Sequence, residues 1–141
     1  NLAKGNVVLH PNQTQSSGKF SYTVKTIEIT PVTTRLVLDS QGHVPSTPEQ
    51  SGEFSATKMY YDIVDQDGKA LDQKMIGYFH QNPKTEYHED ETYSPFAKKP
   101  TSITIKPYTM TVNKDWSVME DANGKPVKTY HKDLEMTIPV Q

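Results

Sequence analysis

Few stretches of this chain space their side chains for chemistry. Asp65-Gln66-Asp67-Gly68 opens like a calcium loop, in which alternating carboxylates chelate a hard cation. A helix–loop–helix calcium site also needs a glutamate at the twelfth position, and that position holds Ile76. The same residues, extended to Lys69, meet the rules of a tight hairpin. Gly68 can take the left-handed conformation, and the Asp carboxylates can cap turn amides. The turn is the preferred reading.

His88-Glu89-Asp90-Glu91 carries hard and borderline metal-ligand types. Neighbours on a strand point to opposite faces and rarely converge on one ion. A solvated acidic loop is expected here. His10, His43, His80, His88 and His131 are scattered, with no two-His helical zinc spacing. No nucleophile elbow, Walker loop or dinucleotide-binding glycine pattern occurs. Carboxylate pairs for glycoside hydrolysis stay open, since their spacing in space cannot be read from sequence. The expected sets of catalytic, cofactor and metal residues are therefore empty, and no enzyme activity is expected.

Eight tyrosines and one tryptophan invite a platform for sugar or peptide. Tyr60, Tyr61 and Tyr78 fall inside expected strands, where packing is the default. Tyr87, Tyr93, Tyr108 and Trp116 are better placed for exposure, although core filling remains the stronger expectation for each. The candidate surface contacts are Tyr87, Tyr93 and Trp116.

These residues must be positioned by strands. Only 33% of the 141 residues are hydrophobic, yet they cluster in short alternating runs. That pattern predicts a strongly solvated β-protein and argues against disorder. One domain over residues 1–141 is expected from the length. The net charge of -2 and the lack of a basic stripe argue against nucleic acid, and no polybasic segment points to anionic lipid. Without cysteine there are no disulfides, Cys-ligated zinc or thiol nucleophiles, which suits a cytosolic or an exported protein. The polar start at Asn1 suggests a fragment, with any membrane anchor lying upstream.

Residues 6–10 predict an edge strand and 12–18 a polar loop. Residues 20–39 predict a strand, a corner at Thr30-Pro31-Val32-Thr33 and a returning strand. The apolar phase changes near Lys25-Thr26, which predicts a β-bulge or a strand that changes sheet. Residues 40–53 read as a long loop, 54–64 and about 70–80 as a hairpin around the Asp65 turn. Residues 81–100 read as a mostly polar loop with a short strand near 86–88 and Phe96 as a plug. Strand alternation returns over 101–111, where Pro107 implies an edge or a bend. Asp121-Ala122-Asn123-Gly124-Lys125 is a second turn. The closing strands are about 127–131 and 134–140. At most one helical turn is expected, near 46–50 or within 94–98. The whole predicts an all-β antiparallel sandwich of about seven to nine strands.

With these pieces in order, the chain resembles a known family. It is similar to the immunoglobulin-like domain of unknown function at the extracytoplasmic C-terminal end of membrane-anchored, anti-sigma-factor-like proteins of Gram-positive bacilli. The resemblance is carried by Val24–Leu38 (VKTIEITPVTTRLVL), Tyr61–Leu71 (YDIVDQDGKAL), Pro100–Tyr108 (PTSITIKPY) and Asp133–Val140 (DLEMTIPV). It implies an immunoglobulin-like sandwich outside the membrane, tethered by an upstream helix beside a sibling domain. It brings no catalytic residues. The implied partners are proteins, either a sibling domain or an envelope component. Cell-wall glycan is the alternative partner, and a β-sandwich hydrolase is the remaining one.

Overall fold

The computed structural model describes residues 6–42, 44, 59–73, 86–110 and 119–140. They build an all-β sandwich of two antiparallel sheets with nine strands among the described residues. In the first sheet β1 (Val7–Leu9), β3 (Phe20–Ile29), β4 (Thr34–Gln41) and β6 (Glu86–Tyr93) lie in that order, and β2 (Gln13–Ser17) also pairs β3. The second sheet holds β5 (Tyr60–Asp65), β7 (Ser102–Met110), β8 (Lys128–Tyr130) and β9 (Met136–Pro139).

Both sheets share one device. A long central strand has one full partner, and two short strands divide its other edge. β3 pairs β4 on one side, and β2 and β1 on the other. β7 pairs β5 on one side, and β9 and β8 on the other.

In β3 the division coincides with the change of apolar phase. The register to β4 shifts between Val24 and Thr26, which leaves exposed Lys25 as the extra residue. The bulge lets Tyr22, Val24, Ile27 and Ile29 all face the core. β3 therefore stays in one sheet, and the alternative of a sheet-changing strand does not apply to it. A bulge resets side-chain phase without breaking the ladder. The change of sheet occurs at residues 70–73 instead, where Ala70 bridges Val64 of β5 and Gln73 bridges Tyr93 of β6.

In β7 the division falls at Pro107, expected at an edge or bend but found buried in a central strand. The Pro107 carbonyl accepts from His131 N at 2.9 Å. Carbonyl and nitrogen of one strand residue face the same side. The prolyl nitrogen, which lacks a hydrogen, thus faces the gap between β8 and β9, where no ladder partner needs it.

Core packing follows the alternation. Val24, Ile27, Leu36 and Leu38 of the first sheet share one cluster with Ile63 and Ile105 of the second, all at 0% exposure. Burying each contributes about 1.5–3 kcal/mol. Phe96 packs against this cluster, as its plug role requires.

Other expectations change. The polar loop at 12–18 is largely strand β2, whose main chain pairs β3 although its side chains are mostly exposed. Its ladder comes from the backbone, so it carries no apolar run. The segment 81–100 contains the eight-residue β6 in place of a short irregular strand. Among the described residues, the helical turn is a 3-10 turn at Lys132–Leu134, and none forms at 94–98. The segments expected at 46–50, 54–58 and 74–80 lie outside the described residues.

The two turns match each other atom for atom. In each, the leading Asp N donates to the Lys carbonyl, and its Oδ1 accepts the amides two and four residues on, at 2.8–3.0 Å. Gly68 and Gly124 supply the positive φ, at 80° and 76°. At the corner, the Thr30 hydroxyl accepts from Val32 N and Thr33 N.

Candidate functional site

The inner face of β6 places two of the expected contact residues. Tyr87 is half-buried there, beside half-buried Glu89 and Glu91. Tyr93 is fully buried, which corrects its assignment as a surface contact. It is the last inward residue of β6, and its hydroxyl crosses the sandwich to donate to the Tyr61 carbonyl of β5 at 2.5 Å. Trp116 lies outside the described residues. Tyr108 is also buried, at 1% exposure.

A tyrosine group that sequence reasoning missed lies on the outer face of the second sheet. Asp62, 8% exposed, accepts from the Tyr130 hydroxyl at 2.6 Å and lies 3.5 Å from the Lys128 ammonium. That ammonium sits 4.3 Å from the Tyr108 ring centroid. Tyr108 stacks with Tyr60 at 5.7 Å and meets Tyr130 at 5.5 Å. Burial, then the hydrogen bond to Asp62, pushes the Tyr130 phenol upward, so it stays a donor. The spacing of Tyr60 and Asp62 signalled a shared face, but their partners on β7 and β8 are distant in sequence.

The outer face of the first sheet carries cross-strand ion pairs. Arg35 of β4 meets Asp90 of β6 as a fork, with Nε to Oδ1 at 2.8 Å and Nη2 to Oδ2 at 2.6 Å. The pair ties the start of β4 to its neighbour on the exposed face. The contact lowers the Asp90 carboxyl. Asp39 and His88 pair at 2.7 Å, and the hydrogen bond to Asp39 raises the imidazole above its ordinary range. A polar groove of about 250 Å³ runs past them, lined also by Ser21, Thr23, Lys25 and Gln41. Among the described residues no group of three or more His, Cys, Asp or Glu is placed to hold a metal ion.

A cleft of about 420 Å³ opens between the Asp65 turn and residues 94–99. Leu71, Pro95 and Phe96 give it apolar lining, while Lys69, Lys98 and Lys99 bring ammonium groups. Hydrogen bonds pin its walls to each other. Asp72 N donates to Ser94 Oγ at 3.0 Å, and Ser94 N to the Asp72 carbonyl at 2.7 Å. Thr101 N donates to Gln66 Oε1 at 3.0 Å.

Comparison with known proteins bears on the fold. A family of unknown function, DUF5643, matches residues 6–138. The chain is similar to a solved structure, the crystal structure of the conserved domain protein from Bacillus anthracis, with a TM-score of 0.61 and 10% identity. The match covers 96% of this chain and 49% of that one, so this chain spans about half its length. At that identity the likeness shows the fold alone. No functionally curated protein matches the chain.

Proposed function

The chain belongs to the DUF5643 family, and from that premise we propose that it is a non-catalytic, extracytoplasmic module of a membrane-anchored, anti-sigma-factor-like regulator, working through protein contacts. One observation carries the non-catalytic part. Several of the acidic, basic and imidazole side chains of the described sheets are tied into pairs along the sheet faces. Arg35 holds Asp90, His88 holds Asp39, Tyr130 and Lys128 hold Asp62, and the His131 ring meets the Thr109 hydroxyl at 3.0 Å. Such pairing orders a surface, whereas catalysis gathers a nucleophile, an acid and a base around one cavity.

The connectivity supports the finer, immunoglobulin-like classification. The β3–β4–β6 order in one sheet and β5–β7–β9 in the other follow the A–B–E and C–F–G arrangement of such sandwiches. The chain crossing at 70–73 then stands where strand C passes toward strand D. Extracytoplasmic placement and the membrane tether rest on the resemblance of residues 24–38, 61–71, 100–108 and 133–140. With Tyr93 buried, the glycan platform of Tyr87, Tyr93 and Trp116 loses a member.

Topology mapping of the full-length gene product tests the reading. Reporter fusions after residue 141 should be active only outside the membrane, downstream of one spanning helix. A full-length product without any spanning segment overturns it.

A further inference from the structure

We propose that Asn123 is a self-modification site, deamidated through attack of the Gly124 peptide nitrogen on its carboxamide, and that the turn led by Asp121 gates the reaction. The inference goes beyond the contact-module reading and does not depend on it.

Sequence supplies the reactive pair. Asn123-Gly124 is the one Asn-Gly step in the chain. Glycine has no side chain to hinder the approach of its nitrogen to the preceding carboxamide. A bond forms between Gly124 N and Asn123 Cγ while the bond from Cγ to Nδ2 breaks. The Gly124 amide proton leaves with Nδ2 as ammonia. Water then opens the cyclic imide at either carbonyl and gives an aspartyl or an isoaspartyl linkage. Solvent water is the only co-reactant, and nothing is oxidised or reduced.

The side chain is open to attack, but the nitrogen is held. Asn123 and Gly124 are exposed, and the Asn123 carboxamide has no hydrogen bond among the described residues. Gly124 N donates to the Asp121 carbonyl at 3.0 Å, so the nucleophile and its proton are committed elsewhere. The Asp121 Oδ1 clamps the amides on either side, accepting from Asn123 N at 2.8 Å and from Lys125 N at 3.0 Å. Hydrogen bonds from Lys125 and Asn123 lower the Asp121 carboxyl, which keeps the clamp charged at neutral pH. Attack therefore starts from the opened turn, and its rate follows the opened fraction. None of residues 119–127 is buried, so the turn can open without disturbing the core. The Asp65 turn repeats every one of these backbone bonds around Asp67-Gly68, but Asp67 has no ammonia to expel. It serves as an internal control.

The product cannot rebuild the turn. An isoaspartyl linkage adds a methylene to the main chain, which breaks the match that bridges Glu120 to Pro126. It also sets a new carboxylate beside Asp121. Deamidation thus opens, in one direction only, the hairpin that leads into β8.

Peptide-mapping mass spectrometry of the 141-residue chain, incubated at neutral pH, tests the assignment. The mass gain of nitrogen exchanged for oxygen should appear at Asn123 before any other asparagine. D121A removes the clamp and should react at least about fivefold faster, the scale of one lost charge-assisted hydrogen bond. D121N removes the charge but keeps an oxygen for both amides, so it should react more slowly than D121A. In denaturing urea the three proteins should react alike, and faster than the folded wild type. Asp121 is exposed, so both variants should keep the wild-type amide spectrum outside residues 119–127. Equal rates for folded wild type and D121A, equal rates for D121N and D121A, or a folded wild type as fast as the unfolded chain overturns the gate. Earlier reaction at another asparagine, or no mass gain at Asn123 even in urea, overturns the site.

Discussion

Two phenols bolt the sandwich shut. Tyr22 of β3 donates to the Leu134 carbonyl and Tyr93 of β6 to the Tyr61 carbonyl, each at 2.5 Å. Burial pushes both phenols well above their usual range. Replacing Tyr93 with Phe keeps the ring and strands a buried carbonyl. A loss of about 1–3 kcal/mol is expected from urea unfolding. The two paired histidines pull stability in opposite directions with pH. Burial lowers the His131 imidazole, against the nearby Asp133 charge. Its contribution is complete above the unfolded value, about 6.5, and is lost as the pH falls toward the folded value. His88 is raised by Asp39, so its contribution is complete below about 6.5 and is lost as the pH rises through the folded value. H131Q should therefore flatten the acid limb of a urea-midpoint profile. H88Q should lower the midpoint at pH 5.5 and leave it unchanged at pH 8.5. The sequence located the turn aspartates because their partners are local. It misplaced Tyr93 because an aromatic in a polar stretch reads as exposed, while its carbonyl partner lies on another strand.

At the scale of elements, the strands and turns most readable from sequence are those whose signal is local. The β3–β4 hairpin and the Asp-Gln-Asp-Gly-Lys and Asp-Ala-Asn-Gly-Lys turns follow from alternation and glycine position. Strands β2 and β6 were less legible, because pairing through the main chain requires no apolar face. Pro107 misled because proline excludes itself only where its nitrogen must donate, and the gap between β8 and β9 removes that demand. Gly42, just past β4, is the sharpest local constraint. Its φ is 94°, and a Cβ there would lie 1.7 Å from the Lys19 carbonyl oxygen. G42A should cost about 2 kcal/mol or more and lower the melting temperature, since strain and clash act together.

Over the whole molecule, one cluster joins both sheets, so its centre should be the least forgiving place. Leu36 is fully buried there, and L36A should destabilise the protein by about 2–5 kcal/mol in chemical denaturation. The fold class was legible because strand count, turn spacing and composition agree. The outer-face group of Asp62, Lys128 and the tyrosines was not, because topology alone brings β5, β7 and β8 side by side. The lysine cleft was hidden for the same reason, since its walls come from residues 65–72 and 94–99.

The split edges give the molecule a mechanical grain. β1 belongs to one sheet and β9 to the other, so tension drawn between them loads both short edge strands and the contacts that cross the sandwich. β1 is held by three residue pairs and β9 by four. The contacts of Tyr22 with Leu134 and of Ser17 with Asp133 act as cross-pins beside them. Under load the short outer strands should peel first and leave the long central pairs β3–β4 and β5–β7 intact. Such a domain would yield in steps, with its periphery acting as a fuse for its centre.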